Sequence, residues 1–190
     1  MTTCKYFKFF LSANIFFFDN LFVKLYMYFT KNQKKVTKLL FVCLGNICRS
    51  PAAEGIFNHY VSLRKKQGHL HAESAGIGHW HVGELPDHRM RRHGERHGYS
   101  FDSRARQFTP DDFDKYDLII AMDEQNASDI KSMARSPYDM RKVMLMASFL
   151  RHHPMHKSIP DPYYGGDEQF EMVIELLEDA CQGLLDSIGA

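Results

Sequence analysis

From residue 38 onward, segments typical of strands alternate with segments typical of helices, and this alternation constrains the fold more than any other feature. Strands are predicted at three apolar runs, 39–42, 118–122 and 143–146, and at the more mixed segment 70–74. Short apolar runs of this kind are typical of strands buried in a parallel sheet. The pattern predicts an α/β domain, with an open twisted parallel sheet of about four strands and helices on both faces. Ligands of such sheets bind at the carboxyl ends of the strands.

The first helices are predicted from residues that favour helix starts. Ser50-Pro51 has the composition of an N-cap followed by proline at the first helical position. A second helix is expected to begin near Pro86, and a short one at Thr109-Pro110. Asp123 follows the third strand and can cap another helix. Each helix therefore follows a predicted strand or loop, as a parallel sheet requires.

The last helix has the clearest periodicity in the chain. Gly165-Gly166 interrupts the preceding segment, and Asp167 can cap the helix. Apolar residues then recur at helical spacing, which predicts one face buried against the rest of the domain. That face comprises Phe170, Val173, Ile174, Leu177, Cys181, Leu184, Leu185 and Ile188.

Residues 1–36 differ from the rest of the chain in composition, because Phe, Tyr and Leu crowd this segment. Its longest apolar run, 9–18, is shorter than the roughly 20 residues that span a bilayer. Three interpretations are open: translation from a misassigned start codon, a membrane-associating segment, or an additional helix. We favour the first, since residues 37–190 read as a complete domain, and we expect no membrane partner.

The net charge and the cysteine content limit which classes of function are expected. The formal net charge is +1, so nothing global indicates nucleic acid as a partner. The four cysteines are Cys4, Cys43, Cys48 and Cys181, and two of them are close in sequence. This is unlike the cysteine framework of a small secreted domain. We therefore expect a reducing, cytoplasmic location and a chemical role for Cys43 and Cys48.

The segment between the first strand and the first helix, residues 43–49, carries the strongest functional signal. A loop in this place can direct backbone N–H groups and the helix dipole at an anion, and Gly45 and Asn46 tolerate the left-handed backbone that a tight turn needs. A Cys43 thiolate is favoured in that potential, and Arg49 offers paired donors to two phosphate oxygens. The P-loop lysine of nucleotide-binding proteins is absent. The alternative, a structural cysteine beside a surface arginine, does not explain the flanking strand and Ser-Pro.

These residues resemble a known family. The segment Cys43–Ser50 matches the C-x5-R-S loop of the low-molecular-weight protein-tyrosine phosphatases, and Leu40–Glu54 is similar nearly throughout. The family's second signature, D-P-Y-Y-G, is present as Asp161–Gly165. The resemblance covers about residues 37–188 and includes the segments 73–76, 92–94, 105–107 and 122–124.

The resemblance implies a protein-tyrosine phosphatase that hydrolyses phosphotyrosine and small aryl phosphates, so its partner would be a tyrosine-phosphorylated protein. Cys43 would attack phosphorus and form a phosphocysteine, while Arg49 holds the transferring group. Asp161 would protonate the leaving phenolate and then activate water. The scheme requires no cofactor and no metal. A metal site at His152, His153 and His156 is disfavoured, because no carboxylate or cysteine stands at ligand spacing.

The resemblance also implies supporting residues. Ser50 would hydrogen-bond the nucleophilic sulfur as well as cap the helix, and Cys48 would act as a redox partner of Cys43. The residues expected to bind phosphate or brace the loop are Leu44, Gly45, Asn46, Ile47, Cys48, Ser50, Ser74 and His93. The expected walls for the substrate ring are Trp80, Tyr163 and Tyr164.

The sequence disfavours three other functions that a loop of this kind can serve. An arsenate reductase would need further cysteines to relay a disulfide, and none lies between Cys48 and Cys181. Protein-arginine phosphatases of this type resemble C-T-G-N-T-C at the loop, with a threonine where this chain has Ile47. A catalytically inactive phosphate-binding module is disfavoured, since Cys43, Arg49 and Asp161 are all present.

Overall fold

The computed structural model describes residues 38–66, 68 and 70–189, so the predictions for residues 1–36 lie outside the described residues. No helix in the described part of the chain combines the length and the apolar character needed to cross a membrane. The elements, in chain order, are β1 (Lys38–Cys43), α1 (Arg49–Leu63), β2 (His71–Gly76), α2 (His88–Arg96), α3 (Asp112–Lys115), β3 (Leu118–Ala121), α4 (Glu124–Ser132), α5 (Pro137–Arg141), β4 (Val143–Leu145), a 3₁₀ turn (Met146–Phe149) and α6 (Asp167–Ser187).

The four strands form one parallel sheet in the order β2-β1-β3-β4, which confirms the predicted α/β fold. The chain leaves β1 toward β2 on one side and later enters β3 on the other side of β1. The strand order therefore reverses between β1 and β3. In open α/β sheets the crevice at such a reversal, beyond the carboxyl ends, is where ligands bind. The loop 43–49 leaves β1 at this place.

Alternating residues of the sheet pack against helices on its two faces. On one face, Leu40 and Ile119 belong to a buried cluster with Phe113 of α3 and Ile130 of α4. On the other face, Phe41 packs edge-on against Phe57 of α1, with ring centroids 5.6 Å apart. Helix α6 lies against α1, where the Cys181 Sγ atom is 3.7 Å from the Ala53 carbonyl oxygen. Its predicted apolar face is buried from Phe170 to Leu185.

Element ends differ from the predictions where a neighbouring group satisfies the backbone. Helix α1 begins at Arg49, and the prediction that Ser50 caps it is wrong, because its hydroxyl is used by other partners. Helix α6 is capped at Gly166 and not by Asp167, since Gln169 Oε1 accepts from the Gly166 N–H. The predicted cap at Asp123 is confirmed: its carboxylate accepts from Asn126 N at 2.7 Å. The last residue of the predicted fourth strand, Met146, begins the 3₁₀ turn instead.

Backbone hydrogen bonds tie the 43–49 loop to the segment that follows β2. The N–H groups of Ile77 and Gly78 donate to the carbonyls of Cys43 and Leu44 at 2.9 and 2.8 Å. Gly76 lies directly beneath the loop: a Cβ atom there would stand 2.9 Å from Gly45 C and 3.0 Å from Asn46 N. Both are backbone atoms, so no side-chain movement could relieve the contact.

We therefore predict that Gly76→Ala destabilises the fold, because the added methyl group pushes the loop away from β2. The free energy of unfolding should fall by about 1–3 kcal/mol, the usual cost of overpacking. Denaturant unfolding followed by circular dichroism measures this change. Gly68→Ala is the matched control, since a Cβ at Gly68 meets nothing within 4 Å. Equal stability of the two variants would show that the loop does not rest on Gly76.

Candidate active site

The loop 43–49 is curled around the sulfur of Cys43. Asn46 has a φ of 57°, in the left-handed region that asparagine tolerates. This turn brings the Asn46 N–H to 3.3 Å from Cys43 Sγ. Carbonyls of the loop are engaged outside it, including that of Ile47, which accepts from Asp87 N at 2.7 Å. Because the carbonyls of Cys43, Leu44 and Ile47 accept from other segments, they do not repel an anion beside the sulfur, which loop N–H groups and the positive end of α1 can bind.

Asn46 holds this curled conformation through its side chain. Its Nδ2 atom donates to the hydroxyls of Ser50 and Ser74 at 2.9 and 2.8 Å. Its Oδ1 atom accepts from the Arg106 N–H at 2.9 Å. The Ser74 hydroxyl in turn donates to Glu54 Oε2 at 2.6 Å. Because Asn46 is buried, this full set of partners fixes the loop to β2 and α1.

The hydroxyl of Ser50 connects this network to the nucleophile. Its Oγ atom lies 3.0 Å from Cys43 Sγ and 3.2 Å from the Ala75 carbonyl oxygen. A hydroxyl carries one hydrogen, so it can donate to only one of these atoms at a time. When Cys43 is a thiol, the S–H can donate to Ser50 while Ser50 donates to Ala75. When Cys43 is a thiolate, the Ser50 hydrogen is free to turn to the sulfur and stabilise its charge.

Arg49 is buried, with 2% of its surface exposed, and both ends of its guanidinium meet carboxylates. Nη1 lies 2.5 Å from Asp123 Oδ2 and 3.3 Å from the Ile159 carbonyl oxygen, to which it also donates. Nη2 lies 2.5 Å from Asp161 Oδ2. Burial disfavours the charged guanidinium, but Cys43 and Asp161, with help from Asp123, raise the pKa of Arg49 above its ordinary value. The side chain is therefore a fixed cation beside the sulfur.

Asp161 reaches the site from the segment that follows the 3₁₀ turn. This segment is anchored at Ile159, whose N–H donates to the Met122 carbonyl at 2.8 Å. One carboxylate oxygen of Asp161 meets Arg49, and the other accepts from the Tyr163 N–H at 3.1 Å. The side chain is 42% exposed, so it faces the opening of the site rather than its floor. A carboxyl group there can exchange a proton with a bound ligand or with water.

These groups line one pocket of about 340 Å³. Its floor is the 43–49 loop, and its walls include aromatic side chains from two other loops. Trp80 is 63% exposed, Tyr163 39% and Tyr164 98%, so apolar rings border the opening. The lining residues are Cys43, Leu44, Gly45, Ile47, Cys48, Arg49, Trp80, His81, Asp161, Tyr163 and Tyr164. A flat aromatic group carrying an anion suits this combination of walls and floor.

Cys48 also lines the pocket, and both it and Cys43 are free thiols. Burial, reinforced by the charge of Asp87, raises the pKa of the Cys48 thiol well above its ordinary value. Cys48 is therefore a protonated thiol beside the proposed nucleophile. The two cysteines differ in surroundings, because Cys43 Sγ accepts from an amide N–H and contacts a hydroxyl.

One predicted site residue lies elsewhere. The expectation that His93 braces the loop is wrong, because its Nδ1 atom is 2.8 Å from Glu171 Oε2 and its ring stacks on Phe170. Both partners belong to α6. The reason is the orientation of α2: its buried residues, Met90, His93 and Gly94, lie on one side of the helix. His93 therefore joins α2 to α6 instead of reaching the loop.

Two residues, one behind Arg49 and one in the pocket lining, were missed by the sequence analysis. Asp123 was assigned only a capping role, yet its second oxygen holds Arg49. Its position directly after β3 was the available signal, since the carboxyl ends of parallel strands meet at one edge. His81 lines the pocket above Gly45, with its Nδ1 atom 2.7 Å from Glu84 Oε2. No sequence motif distinguished His81 from the ten other histidines.

Comparison with known proteins agrees with this geometry. The profile of the family described as low molecular weight phosphotyrosine protein phosphatase matches residues 38–190. The low molecular weight protein-tyrosine-phosphatase YfkJ of Bacillus subtilis is 41% identical over 151 residues, covering 79% of this chain and 94% of the relative. The corresponding protein of Streptomyces coelicolor is 40% identical over 156 residues, covering 80% and 93%. A solved structure of a protein tyrosine phosphatase from Entamoeba histolytica superposes with a TM-score of 0.78 at 39% identity, covering 80% of this chain and 97% of that one. The chain belongs to the low molecular weight phosphotyrosine protein phosphatase family.

Proposed function

We propose that this protein-tyrosine phosphatase hydrolyses phosphotyrosine in protein substrates through a phosphocysteine formed on Cys43. The observation that carries the proposal is the pocket itself, where the Cys43 thiol, the Arg49 guanidinium and the Asp161 carboxyl meet among aromatic rings. The relatives from Bacillus subtilis and Entamoeba histolytica are named as protein-tyrosine phosphatases. Because the scheme needs Cys43 in its reduced form, we also propose a reducing, cytoplasmic compartment.

In the first step, the Cys43 thiolate attacks phosphorus and an S–P bond forms as the bond to the phenolic oxygen breaks. Asp161 gives its proton to that oxygen, so tyrosine leaves as a neutral phenol. In the second step, Asp161 takes a proton from water, and the water oxygen attacks phosphorus. The S–P bond breaks, phosphate leaves, and the thiolate is restored. Arg49 and the loop amides stabilise the charge that develops on the phosphoryl oxygens in both steps.

Substrate binding must rearrange one contact of Arg49. In the structure, Nη2 is bound by Asp161, while Nη1 is bound by Asp123 and the Ile159 carbonyl. A phosphate offers oxygens that can replace the Asp161 carboxylate at Nη2. Asp161 is then released toward the leaving oxygen, while Asp123 keeps the guanidinium from swinging away. Binding of the anion thus frees the general acid.

The residues of the pocket also argue against the competing functions. The wall formed by Ile47, Trp80 and Tyr163 suits an aryl phosphate better than the charged guanidinium of phosphoarginine. A disulfide relay would need a third reachable thiol, and among the described residues the remaining cysteine, Cys181, is fully buried in α6 against α1. In an inactive binding module, the Asp161 carboxylate would only compete with the bound anion for Arg49 Nη2. A phosphotyrosine hydrolase accounts for all of these side chains.

We predict that Cys43→Ser lowers the turnover of p-nitrophenyl phosphate by more than about 10³-fold, because serine lacks a thiolate to attack phosphorus. Binding of vanadate or phosphate should remain measurable, since Arg49 and the amides still hold the anion. Release of p-nitrophenol without added metal, together with anion titration, checks both points. Cys181→Ala is the control and should keep its turnover. A Cys43→Ser protein that remains active would exclude Cys43 as the nucleophile.

For Asp161→Ala we predict a loss that depends on the leaving group. The kcat/KM for phenyl phosphate should fall by about 10²–10⁴, because a poor leaving group depends on protonation. For p-nitrophenyl phosphate the loss should be much smaller. A series of substituted phenyl phosphates measures the difference, with Asp129→Ala on the surface of α4 as control. A uniform loss across the series would mean that Asp161 has only a structural role.

We predict that peroxide inactivates the enzyme reversibly. Oxidation of the Cys43 thiolate by peroxide gives a sulfenic acid, and the Cys48 thiol then displaces hydroxide from that sulfur, forming a disulfide and water. Dithiothreitol should restore activity in the wild-type protein. Cys48→Ser should instead lose activity permanently, since no thiol intercepts the sulfenic acid before further oxidation. Full recovery of Cys48→Ser, or failure to find a Cys43–Cys48 peptide by mass spectrometry, would contradict a protective role.

A further inference from the structure

The segment that carries Asp161 must be held at a fixed height above Cys43 for proton transfer to occur. It lies between Ile159 and the start of α6 and contains no helix or strand. Misplacing a catalytic group by about 1 Å can reduce a rate by roughly 10². The contacts that fix this segment therefore bear directly on catalysis, and one of them comes from a side chain outside the pocket.

Arg89, at the beginning of α2, contacts both the backbone and the ring of Tyr163. Its Nη1 atom donates to the Tyr163 carbonyl oxygen at 3.0 Å. Its guanidinium carbon also lies 5.5 Å from the centroid of the Tyr163 ring and 4.7 Å from that of Phe170. Phe170 is fully buried, so it supports the guanidinium from the core. Both the backbone and the ring of Tyr163 are thus restrained by one side chain.

Arg89 is itself fixed by Asp87. Its Nε and Nη2 atoms donate to the two carboxylate oxygens of Asp87 at 3.0 and 2.7 Å. Burial disfavours the charged form of Asp87, but the hydrogen bonds from Arg89 outweigh this and hold the pKa of Asp87 below its ordinary value. The Asp87 N–H donates to the carbonyl of Ile47. The pair is consequently anchored to the 43–49 loop.

The contacts form a continuous path from the nucleophile's loop to the general acid. Asp87 is bonded to Ile47, Arg89 to Asp87, and Tyr163 to Arg89. The Tyr163 N–H then donates to Asp161 Oδ1 at 3.1 Å. We infer that Arg89 is a positioning residue for the reaction: through Tyr163 it places the Asp161 carboxyl over the site of phosphoryl transfer. This inference rests on the proposed role of Asp161 as general acid.

The chemistry of arginine suits this role in a way that lysine could not. All three guanidinium nitrogens of Arg89 are in use, two on Asp87 and one on the Tyr163 carbonyl. The planar guanidinium also stacks on Phe170 while it makes these bonds. A lysine ammonium is a single donor centre on a flexible stem, so it could not hold both partners at this geometry. Arg89→Lys should therefore lose the contacts that hold Tyr163, as Arg89→Met does.

A solely structural role for Arg89 predicts a different result. Surface ion pairs contribute little to stability, and their loss affects all substrates alike. A positioning role predicts a loss that depends on how much the leaving group needs a proton. It also predicts that the phosphate loop keeps its affinity for anions, because Arg89 touches the acid's segment and not the phosphate site.

The test compares Arg89→Met with the wild-type protein on phenyl phosphate and p-nitrophenyl phosphate, using kcat/KM, which reports the steps up to the phosphocysteine. We expect a loss of about tenfold or more for phenyl phosphate and less than about threefold for p-nitrophenyl phosphate. Vanadate affinity, followed by the fluorescence of Trp80, should stay within about twofold. Arg92→Met is the matched control: its partner Asp167, 2.9 Å away, lies outside the pocket, so both substrates should be unaffected.

The same substitution in an Asp161→Ala background tests whether Arg89 acts through Asp161. If Arg89 acts through Asp161, adding Arg89→Met should change kcat/KM for phenyl phosphate by less than about twofold. Arg89→Lys, which keeps the cation, provides a second variant should Arg89→Met fail to fold. Equal losses on both substrates, or losses that multiply in the double variant, would overturn the inference alone. An Asp161→Ala protein without leaving-group dependence would instead overturn the assignment of the acid, and this inference with it.

Discussion

The burial of the Arg49 guanidinium is the constraint on which the rest of the site depends. A cation that is 2% exposed is stable only if nearby groups replace its lost hydration. Asp123 supplies one carboxylate from the end of β3, and Asp161 supplies another from the segment before α6. These elements and α1 are distant in sequence, so the charge of Arg49 draws three parts of the chain to one edge of the sheet.

The same requirement bears on the proposed catalytic role of Asp161. Asp123 is committed to the fold, because one of its oxygens caps α4 while the other holds Arg49. Asp161 is more exposed and can be exchanged for the oxygens of a phosphate group. The buried cation is therefore compensated in part by a carboxylate that a phosphate group can displace. In the proposed mechanism, substrate binding and the release of Asp161 as general acid are two results of one exchange.

The parts of this structure that could be predicted from sequence are those determined locally. The apolar runs predicted the strands, and the short interval between Cys43 and Arg49, with a strand before and a helix after, predicted the anion-binding loop. The roles of Asp123 and Arg89 depend on contacts between segments far apart in the chain. His93 was misplaced for the same reason: a His-Gly pair on a helix does not reveal which neighbouring element its buried side will face.

Ser50 shows why a locally reasonable interpretation can fail at a functional site. In isolation, serine before proline at the start of a helix is an N-cap. Here its hydroxyl contacts Cys43 Sγ, the Ala75 carbonyl and Asn46 Nδ2, which leaves no capping bond for the helix. The first turn of α1 therefore has no side-chain acceptor for its N–H groups, and an anion in the adjoining pocket can satisfy them. A phosphate group bound there would supply the hydrogen-bond acceptors that a side-chain cap provides in other helices.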